Sequence, residues 1–248
     1  MIETAIHEKN PGLGLPDVLP VAEPGGFILG ILRDMPEDRK TIVLLRHAKR
    51  NSFLGIPHRL RGRVEISPEG ISMARKFGES LRDTMHGKRL VLSHTPANRC
   101  RMTAESIRDG SLPWIRVQIL GCKPELPHPV KDTGRFSALG QELGWEILFD
   151  RWLKQGVGND VLSDPRPYTS EIVKNLLEVP GVGSKDIFIV VAHDIMIIPL
   201  LFCIFGKKIT DIDFLNGIVL SCDGDFIAAG YSDGYVSLQE RMSYPDLK

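Results

Sequence analysis

Two kinds of apolar pattern alternate along the chain: short unbroken runs, and longer stretches in which apolar residues return every three or four positions. Thr41–Leu45, Leu90–Ser93, Ile115–Leu120 and Ile187–Ala192 are of the first kind and predict buried strands. From Ser67 the period changes. Ile71, Ala74, Phe77, Leu81 and Met85 recur at helical spacing, behind Ser67 as a cap and Pro68 at the first helical position. A second helix is expected behind Thr95 as cap and Pro96, with Cys100, Thr103, Ala104 and Ile107 on one face, which puts Arg99 in its first turn. A third spans Tyr168–Val179 and stops at Pro180 and Gly181. A fourth follows Ala192 at once and runs to Gly206, a C-terminal stop. The pairs Asp223-Gly224 and Asp233-Gly234 predict hairpin turns joining strands Gly217–Ser221, Phe226–Gly230 and Tyr235–Leu238.

Strands alternating with helices imply an α/β fold: a three-layer α/β/α sandwich with a mostly parallel central sheet, finished by a C-terminal antiparallel hairpin. Residues 1–40 carry Pro11, Pro16, Pro20, Pro24 and Pro36 and are expected to form an extended N-terminal arm on a domain spanning 41–248. Within that domain the segment 121–166, with Trp145, Trp152 and interrupting glycines, is expected to form a small cap.

Composition narrows the function classes. With 248 residues, 42% hydrophobic and 25% charged, the chain can bury a core and is not intrinsically disordered. Thirty-one basic residues balance 31 acidic ones, so no global field draws nucleic acid or an anionic membrane, and any anion site must be local. Four cysteines without a CxxC pair read as reduced thiols. The N-terminus lacks the basic flank and apolar core of a signal peptide, so a cytoplasmic location is expected. The apolar stretch 187–205 is interrupted by His193, Asp194 and Pro199, and an Asp at a bilayer centre costs about 2.5–3.5 kcal/mol. A strand, a polar turn and a helix account for it.

The chemistry gathers where strands end. In open α/β sheets, sites form at the carboxyl ends of the strands. Those ends carry Arg46 and His47, the turn holding Arg99, and His193 with Asp194; Arg50 follows closely on His47. The result is a cationic pocket in a neutral protein. A phosphoryl group spreads its charge over three equatorial oxygens, which planar guanidinium forks match in pairs. Neighbouring arginines disfavour an imidazolium, and a neutral imidazole is a competent nucleophile toward phosphorus, a role that fits His47. No metal-ligand spacing is present, so no cofactor is expected and activity should survive EDTA.

Four segments, RHAKRN at 46–51, ISPEG at 66–70, SHTPANRCRMTAE at 93–105 and AHD at 192–194, appear in the order in which similar motifs occur in the histidine phosphatase superfamily, and the chain resembles that family and its phosphoglycerate-mutase-like fold. The resemblance covers about residues 41–110 and 187–206. It implies that His47 becomes phosphorylated while Arg46, Arg99 and His193 hold the phosphoryl oxygens. Arg50, three residues past the nucleophile, and Asp194, directly after the second histidine, resemble the family's acid-phosphatase branch, in which Asp194 would be the proton donor. Ala48 stands where that branch usually has glycine, and Ser52 where proline is frequent.

The expected activity is hydrolysis of a small phosphomonoester through a phosphohistidine. Because an ordinary Asp has a pKa of about 3.9 and arginines lower it, either the optimum is acidic or burial raises that value. One alternative is a phosphoglycerate-mutase-type phosphotransferase with Glu125 as proton donor. Another is an inactive phospho-ligand binding protein. His58, Arg59, Arg61 and Arg63 form either a basic lip that selects a multiply charged substrate or a solvated loop. GVGSK at 181–185 precedes its strand and lacks the spacing of a phosphate loop.

Overall fold

The computed structural model describes residues 24–85, 87–123, 126–223, 226–231 and 234–238. Its two central strands are apolar at nearly every position because helices cover both of their faces. β1 (Lys40–Arg46) and β4 (Asp186–Ala192) lie side by side in parallel, with Leu44 opposite Val190 and Arg46 opposite Ala192. Successive side chains on a strand point to opposite faces, so Ile42, Leu44, Phe188 and Val190 enter one core while Val43, Leu45, Ile187 and Ile189 enter the other.

The sheet has seven strands in the order β3 (Val117–Cys122), β2 (Arg89–His94), β4, β1, β5 (Gly217–Asp223), β6 (Phe226–Tyr231), β7 (Gly234–Ser237). From β3 to β1 the pairing is parallel, and from β1 to β7 it is antiparallel. One face is covered by α1 (Gly26–Arg33), α2 (Pro68–Ser80) and α3 (Asn98–Ser111). The other carries α5 (Trp145–Leu153), α6 (Pro165–Leu177) and α7 (Asp194–Phe205), with α4 (Thr133–Leu143) against them. This is the expected α/β/α sandwich with its antiparallel end. Among the described residues no helix is long and apolar enough to cross a membrane.

α2 and α3 cross almost backbone to backbone. A Cβ on Gly78 would lie 2.2 Å from the Ile107 carbonyl oxygen, and one on Gly110 2.0 Å from that of Arg75, so larger residues there would push the helices apart. That contact sets the height at which α3 presents Arg99.

Several elements depart from the expectation. Residues 26–33, read as extended arm, are a helix that buries Ile28, Leu29, Ile31 and Leu32. Pro24 and Pro36 flank the helix rather than interrupt it, which a count of prolines does not reveal. Residues 1–23 lie outside the described residues. α2 ends at Ser80, and a tight 3₁₀ turn over Leu81–Thr84 keeps Leu81 buried. Thr95 caps nothing, because α3 starts at Asn98 behind an extended Ala97. Within the segment 121–166 two helices form, α4 and α5, meeting at Gly144, whose φ of 82° belongs to the left-handed region that glycine enters without steric cost.

Candidate active site

Parallel register delivers the first two groups. With Arg46 opposite Ala192, the next residue along β1 meets the next along β4, and the His47 N–H donates to the Ala192 carbonyl at 3.0 Å. The rings of His47 and His193 then stand edge to face, 5.5 Å between centroids. On the other side of β4, the Thr95 N–H donates to the Val191 carbonyl at 3.0 Å, and α3 begins three residues later. Arg99 enters from its first turn.

The partners of His47 fix its tautomer. Nδ1 lies 2.8 Å from the Ala48 carbonyl oxygen, which can only accept, so Nδ1 carries the proton. Arg99 Nε–H donates to Nε2 at 3.2 Å, which requires a lone pair there. Burial lowers the His47 pKa to about 3, and the guanidiniums of Arg99, Arg46 and Arg50 act in the same direction. The ring is therefore neutral at pH 7, with its lone pair turned toward the arginines.

Two anchors hold this loop. The Ala48 N–H donates to Thr103 Oγ1 at 3.1 Å, and that hydroxyl donates to the Arg99 carbonyl at 2.7 Å, tying the residue after His47 to the arginine. The Lys49 carbonyl accepts from the Ser67 N–H at 2.9 Å, while Ser67 Oγ accepts from the Gly70 N–H at 3.1 Å. A Cβ on Gly70 would lie 2.0 Å from the Lys49 carbonyl oxygen. ISPEG thus combines a helix cap with a close approach that only glycine permits.

The chain matches mycobacterial hydrolase 1 over 80% of its own length and 100% of that chain, at 14% identity and a TM-score of 0.52. It matches phosphoglycerate mutase from Bacillus anthracis str. Sterne over 81% and 93%, at 14% identity and 0.51. An open reading frame product of Mycobacterium tuberculosis gives 78% and 96%, at 13% identity and 0.50. This chain has a phosphoglycerate-mutase-like fold. No protein-family model and no curated protein matches its sequence.

In this phosphoglycerate-mutase-like fold, the remaining expected residues also converge. His193 is buried, with Nδ1 3.4 Å from Arg99 Nη2 and Nε2 3.4 Å from Thr95 Oγ1. Burial pulls its pKa well down, and Arg99, His47, His128 and Arg46 add to the effect. Arg46 is held from both sides, by Asp194 Oδ2 at 2.8 Å and Asp211 Oδ1 at 2.8 Å, with its Cζ 4.6 Å from the Phe214 ring centroid. Asp194 opens α7, and its Oδ1 accepts from the Ile195 N–H at 2.8 Å. Arg50 stacks its Cζ 3.3 Å from the Phe53 ring centroid and donates to the Asn51 carbonyl at 2.9 Å. Cys100 sits 3.8 Å from both ring nitrogens of His193, and burial pushes its thiol up to about 12, so it stays neutral.

Glu125 lies outside the described residues, as does the side chain of His58. Arg59 and Arg63 are exposed, whereas Arg61 is half-buried and gives its carbonyl to Arg99 Nη1 at 2.9 Å. Among the described residues no group of three or more His, Cys, Asp or Glu is arranged to hold a metal ion.

Sequence reasoning missed four neighbours of the site. His128 lies 6.2 Å from His193 between ring centroids, its Nδ1 accepting from the Val130 N–H at 3.2 Å. Thr95 was expected as a helix cap and instead faces His193. Phe53 and Phe214 carry guanidiniums on their faces. The proline-flanked run KPELPHP offered a weak sign of His128; the aromatics had none, since guanidinium stacking in a loop has no sequence period.

Proposed function

We propose that the chain is a phosphomonoester hydrolase of the acid-phosphatase kind, working through a phosphohistidine at His47. The single observation that carries this reading is the His47 tautomer: a lone pair on Nε2, facing Arg99, in a ring kept neutral by burial and by three guanidiniums. A neutral imidazole beside clustered cations attracts a dianion and attacks it without first losing a proton. The substrate is a small phosphorylated molecule, and the fold, shared with a phosphoglycerate mutase, suits phosphoryl transfer.

In the first step Nε2 forms a bond to phosphorus in line with the ester oxygen, which leaves and takes a proton from Asp194. Arg46, Arg50, Arg99 and His193 hold the equatorial oxygens. In the second step water attacks phosphorus, its proton passes to the Asp194 carboxylate, and the electrons of the P–N bond return to Nε2. Asp194, a carboxylate while paired with Arg46, must first take up a proton from solvent, and the incoming phosphoryl group frees it to do so by competing for Arg46.

Hydrolysis of an aryl phosphate, followed from pH 4 to 8, tests the reading. The wild-type chain should turn over and His47→Ala should lose at least about 10³-fold, the scale of losing a covalent nucleophile. Equal rates for the two proteins would leave only a phospho-ligand binding protein.

A further inference from the structure

Beside the nucleophile lies a pocket of about 720 Å³, within the range of small-ligand sites, whose wall includes Arg50, Phe53, Leu54, Ile56, Pro57 and Arg61. We infer that it holds the part of the substrate beyond its phosphoryl group, and that this part carries an apolar body and a second anionic group bound by Arg61. The inference rests on the phosphomonoester reading and narrows its substrate class.

Charge is the first argument. Arg46, on one side of His47, is matched by two carboxylates, Asp194 and Asp211. On the other side Arg50 donates to a carbonyl and lies against an aromatic face, feels Asp194 only at longer range, and among the described residues has no carboxylate at ion-pair distance, while Arg61 Nε is buried with no hydrogen-bond partner there. The cationic surplus therefore lies on the pocket side. The seated phosphoryl group draws on Arg46, Arg50 and Arg99, which leaves Arg61 for a further anion.

Position is the second. One guanidinium spans the two places: Arg99 donates through Nε to His47 Nε2 at 3.2 Å and through Nη1 to the Arg61 carbonyl at 2.9 Å. A ligand whose phosphorus meets Nε2 thus has the pocket wall within reach of its remaining atoms. Phe53 fixes the cations in advance, with Arg50, Arg61 and Arg99 at 3.3, 5.2 and 5.4 Å from its ring centroid. Such preorganisation lowers the cost of ordering long side chains on binding.

Polarity is the third. Phe53, Leu54, Ile56 and Pro57 give the pocket an apolar wall, and Leu54 is 91% exposed at its edge. A small fully polar ester would leave that surface unused, whereas an aromatic or aliphatic body would cover it.

Titration calorimetry with two non-hydrolysable probes, phenylphosphonate and 4-carboxyphenylphosphonate, on the full chain separates this inference from the reading beneath it. The carboxylated probe should bind about tenfold or more tightly than the plain one. Arg61→Gln should reduce that preference below about threefold, Arg61→Lys should keep part of it, and Arg59→Gln, an exposed arginine outside the pocket, should keep all of it. Equal affinities in the wild-type chain, or a preference that survives Arg61→Gln, would overturn the subsite and leave the hydrolase reading standing. Failure of both probes to bind would remove the phosphoryl seat and the subsite together.

Discussion

The floor of the crevice and the segment beyond β3 reach the same site by opposite means. On the floor, strand register and two helix starts place His47, Arg99 and His193, and backbone groups pin His47 Nδ1, the Ala48 N–H through Thr103, and one arm of Arg99. The segment 121–166 brings His128 to His193 through a loop, and its helices leave Trp145 and Ile147 about half exposed. In the proposed mechanism chemistry is thus carried by the elements that sheet geometry makes unavoidable. The proposed substrate selection falls to loops whose docking no local pattern dictates.

The comparison breaks most sharply at the proton donor, where floor and loop each offer a candidate. Asp194→Asn should slow hydrolysis of esters with poor leaving groups by about 10²–10⁴-fold, the usual scale of general acid catalysis. Glu125→Gln should change it little. If steady-state rates show the reverse, the mutase-type assignment takes over.

Next in size is the anchor of the nucleophile loop. Gly70→Ala forces a methyl group against the Lys49 carbonyl and should cost about 1–3 kcal/mol of stability, as overpacking does. Denaturant unfolding measures the loss, and turnover should fall with it because Lys49 follows His47 by two residues. An equivalent change at Gly144, where a Cβ meets nothing, strains only φ and should leave kcat per folded molecule intact.

Acid should weaken the floor before the rest. His47 and His193 are held neutral, with folded pKa values below the ordinary 6.5. Between that value and about pH 3 for His47, the unfolded chain binds more protons, so stability falls as pH falls. Each histidine contributes a slope of about 1.4 kcal/mol per pH unit, and His47→Gln should remove one share from the pH dependence of unfolding. Catalysis, by contrast, should show no loss near pH 6.5 from protonation of the nucleophile.

The smallest effect belongs to His128. His128→Ala should raise KM by a few-fold with kcat nearly unchanged, because the ring borders His193 without touching His47. A fall in kcat equal to that of Asp194→Asn would move His128 onto the catalytic floor.

Legibility follows the same division. The strands were readable because a strand covered on both faces is apolar throughout, and the site residues stood at their ends where helix starts follow. Arg46, His47, Arg50, Arg99, His193 and Asp194 all meet as that pattern implied. α1 escaped because prolines at 24 and 36 look alike whether they interrupt a helix or flank it. His128 and Phe53 escaped because their approach depends on how loops pack, which carries no period, and for the same reason the sequence left Arg61 open between a basic lip and a solvated loop.

The most direct test of the account is chemical quenching during turnover of a phosphomonoester, followed by peptide mapping. The account predicts an acid-labile, base-stable phosphoryl group on His47, present in the wild-type chain and lost in His47→Gln. A phosphorylated residue elsewhere, or steady hydrolysis with no phosphoenzyme under conditions that trap it, would contradict it.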